Sequence, residues 1–376
     1  MKYIKKNLKQ IIILTLIIIF IFFRDIGRYS YLFNLRWLFV LVLSFLISYF
    51  FAPITIDIAY KYNILDIPNE RKIHTTPTPR IGGVALFLAF IFSLIRNVQF
   101  TREILGVLLS SGLIFIISLL DDILDLPATL KIIFQIIATL IIILFGFKIT
   151  AIPKGFPFEN ILEAMITIIW IVGVTNAVAF LDGIDGLVVG FGGFCSLIFL
   201  IISILSHQKF VSYLSAALLG GCIGVLPFNW HKAKLFLGDC GANLIGFVLA
   251  SISIVGWWAE KNPIVSLSTP LLILSIPIFD MVYITISRIK TGNVKNLYEW
   301  LSYTGKDHIH HRLLNLGFSV PEAVGFILLV TFCLGLYSII IRYTNFTDKI
   351  VAIILFQGSL VLIILSLIIE KGKKLK

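Results

Sequence analysis

Three carboxylates fall within five residues at Asp121-Asp122-Ile-Leu-Asp125. Adjacent carboxylates repel one another unless a cation sits between them or one keeps its proton. A single acid would be enough to cap a helix at a water interface, so three together point to a metal ion or a phosphate-bound cation. Lys131 and Gln135 follow at i, i+4 spacing, which puts both on one helix face where they can reach the same ligand.

Four more stretches carry groups of the same kind. Thr175-Asn176-Ala-Val-Ala179-Phe-Leu-Asp182-Gly-Ile-Asp185-Gly-Leu187 follows each of its two acids with a glycine. Asp-Gly pairs are ordinary turn signals, but two in register behind Asn176 put both carboxylates on one side of a tight, irregular backbone. Phe236-Leu-Gly238-Asp239-Cys-Gly241-Ala242 places a lone acid at a helix start, where it suits either the helix dipole or a hard Mg²⁺ ligand. Phe236 could stack on a nucleobase, although a single aromatic beside an apolar run is more often an interface anchor. The stretch from Asp66 to Gly83 brings Arg71, Lys72, His74 and Arg80 together as cations for phosphate or lipid headgroups. Pro68, Pro77 and Pro79 forbid a continuous helix there, and Gly82-Gly83 allows a close backbone approach. Finally, Asp307-His308-Ile-His310-His311-Arg312-Leu313 packs three histidines into four residues. No HExxH spacing or cysteine pair accompanies them, and Arg312 would be a permanent cation inside a zinc site, so a sugar-phosphate grip fits better.

The elements that must position these groups are membrane helices. With 59% hydrophobic and 14% charged residues over 376, and a mean hydropathy of +1.01, the chain has too little polar surface for a water-soluble globule. Spans need about 20 mostly apolar residues, and such runs occur near 10–23, 36–59, 81–97, 103–120, 130–149, 160–180, 186–205, 211–228, 240–257, 266–285, 321–342 and 350–369. The first follows Lys2, Lys5, Lys6 and Lys9 without a small-residue cleavage site, so residues 1–35 read as a retained signal-anchor or extra helix and 36–376 as the main domain. With the amino terminus inside, 20 of the 31 Lys and Arg fall on the inner side, as the positive-inside rule expects. Topology and anionic headgroups account for the net charge of +11, so no nucleic-acid partner is implied. Asp66, Glu70, Asp121, Asp122, Asp125, Asp182, Asp185, Asp239, Glu299 and Asp307 then share that cytoplasmic side. A transporter would hold its ionisable groups near the midplane, so five acid-bearing loops on one side favour a surface-facing active site. Cys195, Cys222, Cys240 and Cys333 stand singly and imply no disulfide framework.

Taken together, Pro79-Arg80-Ile-Gly-Gly83, Asp121-Asp122, Asn176-Ala with Asp182-Gly-Ile-Asp185-Gly, Gly238-Asp239, Asp280 with Arg288, and His308-Ile-His310-His311-Arg312-Leu313 resemble the polyprenyl-phosphate N-acetylhexosamine-1-phosphate transferases. These share a superfamily with the phospho-muramoyl-pentapeptide translocase. The resemblance runs from about 36 to 320, and the last motif looks like the hexosamine branch. It implies a fold of ten or eleven helices with a cytoplasmic cleft, so the run at 10–23 looks like an addition, and the chain as a whole is expected to be an all-α polytopic membrane protein of about 11 to 12 transmembrane helices. Mg²⁺ is the implied cofactor, with Mn²⁺ as the alternative ion. The implied partners are a UDP-sugar, a polyprenyl phosphate and the membrane lipid, with a homodimer left open.

By position, Asp239 matches the family's metal ligand, with Asp122 assigned beside it. Phe236 matches the uracil-stacking aromatic, and Asp182 and Asp185 the nucleotide-site acids. Asp121 matches the carboxylate that deprotonates or orients the lipid phosphate. His308 joins Asp121, Asp122 and Asp239 as catalytic. Arg71, His74, Arg80, Lys131, Asn176, His310, His311 and Arg312 complete the substrate-binding set. Ala179, Ala242 and Gly305 depart from the family's usual Asn, Ser and Asp. The expected activity is transfer of a sugar 1-phosphate, N-acetylglucosamine 1-phosphate by default, with release of UMP as the first membrane step toward a cell-envelope glycan. A secondary transporter and an inactive relative are the competing readings.

Overall fold

The computed structural model describes residues 10, 12–19, 34–68, 76–97, 101–259, 262–292, 294, 305, 307–343, 350 and 358. In chain order the helices are α1 (Arg36–Lys61), α2 (Gly83–Asn97), α3 (Arg102–Leu124), α4 (Ala128–Leu144), α5 (Glu159–Ala179), α6 (Leu187–Leu205), α7 (Lys209–Asn229), α8 (Gly238–Val255), α9 (Pro263–Ile273), α10 (Ser275–Lys290), α11 (Ile309–Asn315) and α12 (Val320–Tyr343). A two-residue antiparallel ladder, β1 (Leu65–Asp66) with β2 (Thr78–Pro79), closes the connection from α1 to α2, with Leu65 opposite Pro79. Residues 12–19 are also helical, and Ile13 and Ile17 join an apolar cluster with Phe39, Leu43, Leu46, Ile47 and Ala89.

In hydrocarbon every backbone N–H and C=O must be satisfied within the protein, which selects helices for these apolar runs. Seven helices (α1, α3, α5, α6, α7, α8 and α12) are long and apolar enough to cross a membrane, and α9 with α10 forms an eighth candidate bent by 81°. α2 and α4 are apolar but shorter. The chain is therefore an all-helical, multi-pass membrane protein. The expected 11 to 12 spans are not reached among the described residues: α2 and α4 are shorter than a span, the helix at 12–19 is shorter still, and most of the run at 350–369 lies outside the described residues.

The bundle is layered around α8. Its most apolar window is 83% buried inside protein, against 50% for α1 and α3 and 44% for α12, which turn much of their surface outward. Large apolar side chains on those outer faces, such as Leu109, Ile116 and Leu329, are exposed, as lipid contact requires. Close packing replaces water-driven burial at the α1–α7 seam. A Cβ on Gly224 would lie 2.7 Å from the Phe45 carbonyl oxygen, and Ser44 and Ser48 hydroxyls donate to the Ala217 and Gly221 carbonyls at 2.6 and 2.8 Å. Small residues let the two backbones approach. The break between α9 and α10 has its cause in Pro277, which has no N–H to return to the Ile273 carbonyl; the Cys195 thiol takes that carbonyl instead at 3.3 Å. The bent segment carries Asp280 and Arg288 to the end of the bundle where the polar stretches meet.

Candidate active site

The site is framed by two stretches lying side by side. Phe236 N–H donates to the Pro79 carbonyl (2.7 Å), Gly82 N–H to that of Phe236 (2.9 Å) and Gly83 N–H to that of Leu237 (2.8 Å). Glycine is required here because a Cβ on Gly82 would lie 2.7 Å from the Phe236 carbonyl oxygen and one on Gly83 would overlap the Gly241 nitrogen. Gly238 turns the chain into α8 with φ +72°, and a side chain there would run into the Arg80 carbonyl. Thus the glycine pair serves backbone-to-backbone approach.

Asp121 and Asp122 are adjacent in sequence and differently employed. Asp122, 5% exposed, accepts the Asp239 N–H on Oδ1 and the Cys240 N–H on Oδ2, both at 2.9 Å. It therefore caps the first turn of α8, whose N–H groups have no partner within the helix. Both its oxygens hold the backbone that presents Asp239, so its visible role is placement of that residue. Asp121 accepts Leu126 N–H on Oδ1 at 2.8 Å and pairs through Oδ2 with Lys131 Nζ at 2.7 Å. Lys131 also reaches Asp239 Oδ2 at 3.2 Å, so one ammonium is shared by two acids. The Asp239 side chain is 45% exposed where that of Asp121 is 8% exposed, which leaves Asp239 open to a ligand. Gln135, one turn on from Lys131, accepts from Asn176 Nδ2 at 2.7 Å, and Asn176 also donates to the Val172 carbonyl at 2.8 Å. Arg80 donates to the Asp122 carbonyl and pairs with Asp125 at 3.3 Å, so this cation neutralises the carbonyl end of α3.

The two acids between α5 and α6 also divide. Asp185 Oδ2 accepts the Ala233 N–H at 3.1 Å and lies 3.3 Å from His231 Nδ1, and buried Asn229 links Gly186 N–H (3.1 Å) to the Leu235 carbonyl (3.0 Å). These contacts fasten the loop to the residues after α7. Asp182 has no hydrogen-bond partner for its carboxylate among the described residues. Its side chain is exposed. Burial among protein atoms, then the negative charges of Asp239, Asp122, Asp185 and Asp66, push its carboxyl up to about 8.

The last stretch folds over this loop. His308 Nδ1 lies 2.8 Å from Asp280 Oδ2, and Ile309 N–H donates to Asp280 Oδ1 at 2.9 Å. Arg288 makes a two-pronged pair with Asp307, both arms 2.8 Å. Burial pushes the Asp307 carboxyl up, but the Arg288 hydrogen bonds and charge outweigh it and hold it below its ordinary value. Arg312 donates to the Asp307 carbonyl (2.6 Å) and the Tyr283 hydroxyl (3.0 Å), with its guanidinium 4.6 Å from that ring's centre. His310 is 1% exposed, its ring nitrogens have no hydrogen-bond partner among the described residues, and a Cβ on Gly183 would strike its Nε2. Burial first, then the neighbouring His311 and His308, push its imidazole well below the ordinary value. The rings of His310 and His311 lie 4.3 Å apart.

All five stretches thus meet through direct bonds or close packing: 79–83 with 122 and with 236–237, Lys131 with Asp239, Asn176 with Gln135, and His310 against Gly183. The His308 ring also lies 5.5 Å from that of Phe180. Arg71 and His74 lie outside the described residues. Arg80 and Arg312, expected to grip phosphate, are each also engaged by protein groups, and Phe236 contributes its backbone to the frame with a half-buried ring. Asp280, Arg288, Asn229 and Tyr283 were absent from the assigned site. Asp280 with Arg288 is a motif of the resemblance without an assigned role, and Asp280 is an acid inside an apolar run; Asn229 had no signal.

Among the described residues no three or more His, Cys, Asp or Glu converge as an all-protein metal cage. Mg²⁺ is typically held by one or two carboxylates and completed by substrate phosphates and water. An exposed Asp239 with partnerless Asp182 in its field fits that mode; Asp122, with both oxygens taken up by backbone, fits less well.

Comparison with known proteins follows the same residues. The model of glycosyl transferase family 4 matches residues 104–257, from α3 through α8. The decaprenyl-phosphate N-acetylglucosaminephosphotransferase of Mycobacterium tuberculosis H37Rv is 31% identical over 74% of this chain and 76% of its own. The chain belongs to glycosyl transferase family 4. Similar too are the Bacillus subtilis protein named probable undecaprenyl-phosphate N-acetylglucosaminyl 1-phosphate transferase (28%, covering 80% of this chain and 84% of its own) and the undecaprenyl-phosphate alpha-N-acetylglucosaminyl 1-phosphate transferase of Escherichia coli K12 (27%, 84% and 87%). The family match contains Asp121, Asp122, Lys131, Asn176, Asp182, Asp185 and Asp239, and ends before the His308 stretch.

Proposed function

We propose that this family 4 protein transfers N-acetylglucosamine 1-phosphate from UDP-N-acetylglucosamine to a polyprenyl phosphate, at the cytoplasmic face of the plasma membrane, in the first membrane step of a cell-envelope glycan. The observation that carries this reading is the gathering of Asp121, Lys131, Asp239 and Asp182 at one end of an apolar bundle, with Asp239 and Asp182 open. The relatives named for the same transfer support the choice of sugar and lipid.

In the reaction an oxygen of the lipid phosphate attacks the β-phosphorus of the UDP-sugar. The bond from that phosphorus to the bridging oxygen breaks, and UMP leaves with the electron pair. Two anions must be brought together in line, so the chain's task is positioning and positive charge. A divalent cation on Asp239 would neutralise the diphosphate when bound. Lys131 lies between Asp121 and Asp239, where its ammonium can meet a phosphate oxygen without losing either acid. Asp121, held by Leu126 N–H and by the Lys131 it shares with Asp239, stands beside the ammonium that would meet the lipid phosphate. Asp182, exposed and without a hydrogen-bond partner for its carboxylate among the described residues, is free to take up the bound ion or nucleotide.

Purified protein incubated with polyprenyl phosphate, Mg²⁺ and a panel of UDP-sugars should yield UMP and a lipid of the mass of a polyprenyl diphosphate N-acetylglucosamine. Absence of lipid product and UMP with every donor would overturn the assignment. UMP release in the absence of lipid acceptor would replace direct attack with a covalent aspartyl route.

A further inference from the structure

Asp280 is a carboxylate 4% exposed within the otherwise apolar first turns of α10. Ionisable groups in such a setting are retained when a partner and a task hold them. Its two oxygens are both committed to the His308 corner: Oδ1 accepts Ile309 N–H at 2.9 Å and Oδ2 lies 2.8 Å from His308 Nδ1. Arg288, further along the same helix, is paired with Asp307, so it leaves the Asp280 carboxylate to the imidazole.

We infer that Asp280 is the positioning residue for His308 in the transfer reaction, holding Nδ1 so that Nε2 is the ring atom offered to the substrate phosphates. This rests on the transferase reading above. An ionised carboxylate only accepts hydrogen bonds, so the atom facing it must carry the hydrogen. Nδ1–H therefore points at Asp280 in the neutral and the protonated ring alike. Nε2 then presents a lone pair when the ring is neutral and an N–H when it is charged. The ring is steadied on its other sides by Phe180 at 5.5 Å and by the parallel ring of His310 at 5.8 Å. The charged and titratable groups around it are Asp280 from α10 and Asp307, His310 and His311 from its own stretch.

The substitution Asp280→Asn separates positioning from bulk. The amide oxygen can still accept Ile309 N–H while the NH₂ donates to Nδ1, which moves the ring hydrogen to Nε2. Full-length protein in detergent, labelled with ¹⁵N-histidine and assigned by comparison with His308→Gln, should show His308 as the Nδ1–H tautomer. In Asp280→Asn it should convert to Nε2–H. Turnover should fall on the order of 10- to 100-fold, as for other residues that orient a working histidine, with the UDP-sugar KM held within about threefold and Asp280→Asn adding nothing to His308→Gln. The inference is overturned if native His308 is the Nε2–H tautomer, a measurement that does not need the variant to fold. It is also overturned if Asp280→Asn keeps full turnover, or if the two substitutions multiply in effect. A native protein that shows the Nδ1–H tautomer but forms no lipid product would sink the transferase reading and leave the Asp280–His308 pairing standing.

Discussion

At one end of the bundle, Lys148 reaches Glu163 of α5 at 2.8 Å and the Asn160 amide oxygen at 2.6 Å, so a carboxylate only 3% exposed has its own counter-ion. Gln208 both donates to and accepts from the Trp257 backbone there, at 2.8 and 2.6 Å, and Arg342 donates to the same carbonyl at 2.9 Å. At the other end, roughly 20 Å along α5 at 1.5 Å per residue, Lys131 is divided between Asp121 and Asp239. Asp182 there feels four carboxylates. Same helices, same apolar surroundings, opposite handling of charge. Closed pairs satisfy their own charges and ask for nothing further, whereas acids gathered beyond their cations must hold a proton or receive positive charge from a ligand.

The largest expected effect lies at the open end. Asp239→Ala should lower sugar-phosphate transfer by on the order of 10³-fold, the loss typical of removing one group that stabilises developing charge, while the melting temperature stays within a few degrees. Asp122→Ala should act differently although it is the neighbour of Asp121. It removes the α8 cap, worth about 1 kcal/mol or more, so stability and activity should fall together, measured by thermal unfolding and by turnover.

At the closed end, Lys148→Met should destabilise by about 3 kcal/mol, because Glu163 is left buried without its cation. Turnover per folded molecule should be unchanged, and Lys148→Met with Glu163→Leu should recover most of the loss. The smallest effect concerns His310. Its folded-state imidazole resists protonation, whereas the unfolded chain takes a proton near 6.5. Stability from this residue is therefore present above pH 6.5 and is lost as the pH falls below it. His310→Phe should flatten that part of the pH–stability curve, read by denaturant unfolding between pH 5 and 8 (about 1.5 units either side of an ordinary histidine).

How much of this was written in the sequence varies residue by residue. Apolar runs announced the helices because hydrocarbon permits little else, and the spacing of Lys131 and Gln135 correctly placed both on one face of α4. The Gly82-Gly83 pair announced a close approach, but to backbone at 236–241. Nothing in Asp121-Asp122 says which acid caps α8 and which pairs with Lys131, since that depends on where the first turn of α8 arrives from more than a hundred residues away. That Arg80 and Arg312 also hold protein groups, the end of α3 and the Tyr283 ring, is not visible in composition. Asp280 with Arg288 was legible as a motif of the resemblance, but the bend at Pro277 that delivers Asp280 to His308 is a tertiary outcome.

The most direct test of the contrast between the two ends is thermal unfolding of the purified protein with and without Mg²⁺ and UDP-N-acetylglucosamine. Wild type, and the doubly substituted Lys148→Met, Glu163→Leu protein, should both gain stability from the pair of ligands together, and Asp239→Asn should gain little. Equal stabilisation of Asp239→Asn, or no stabilisation of wild type, would contradict the account.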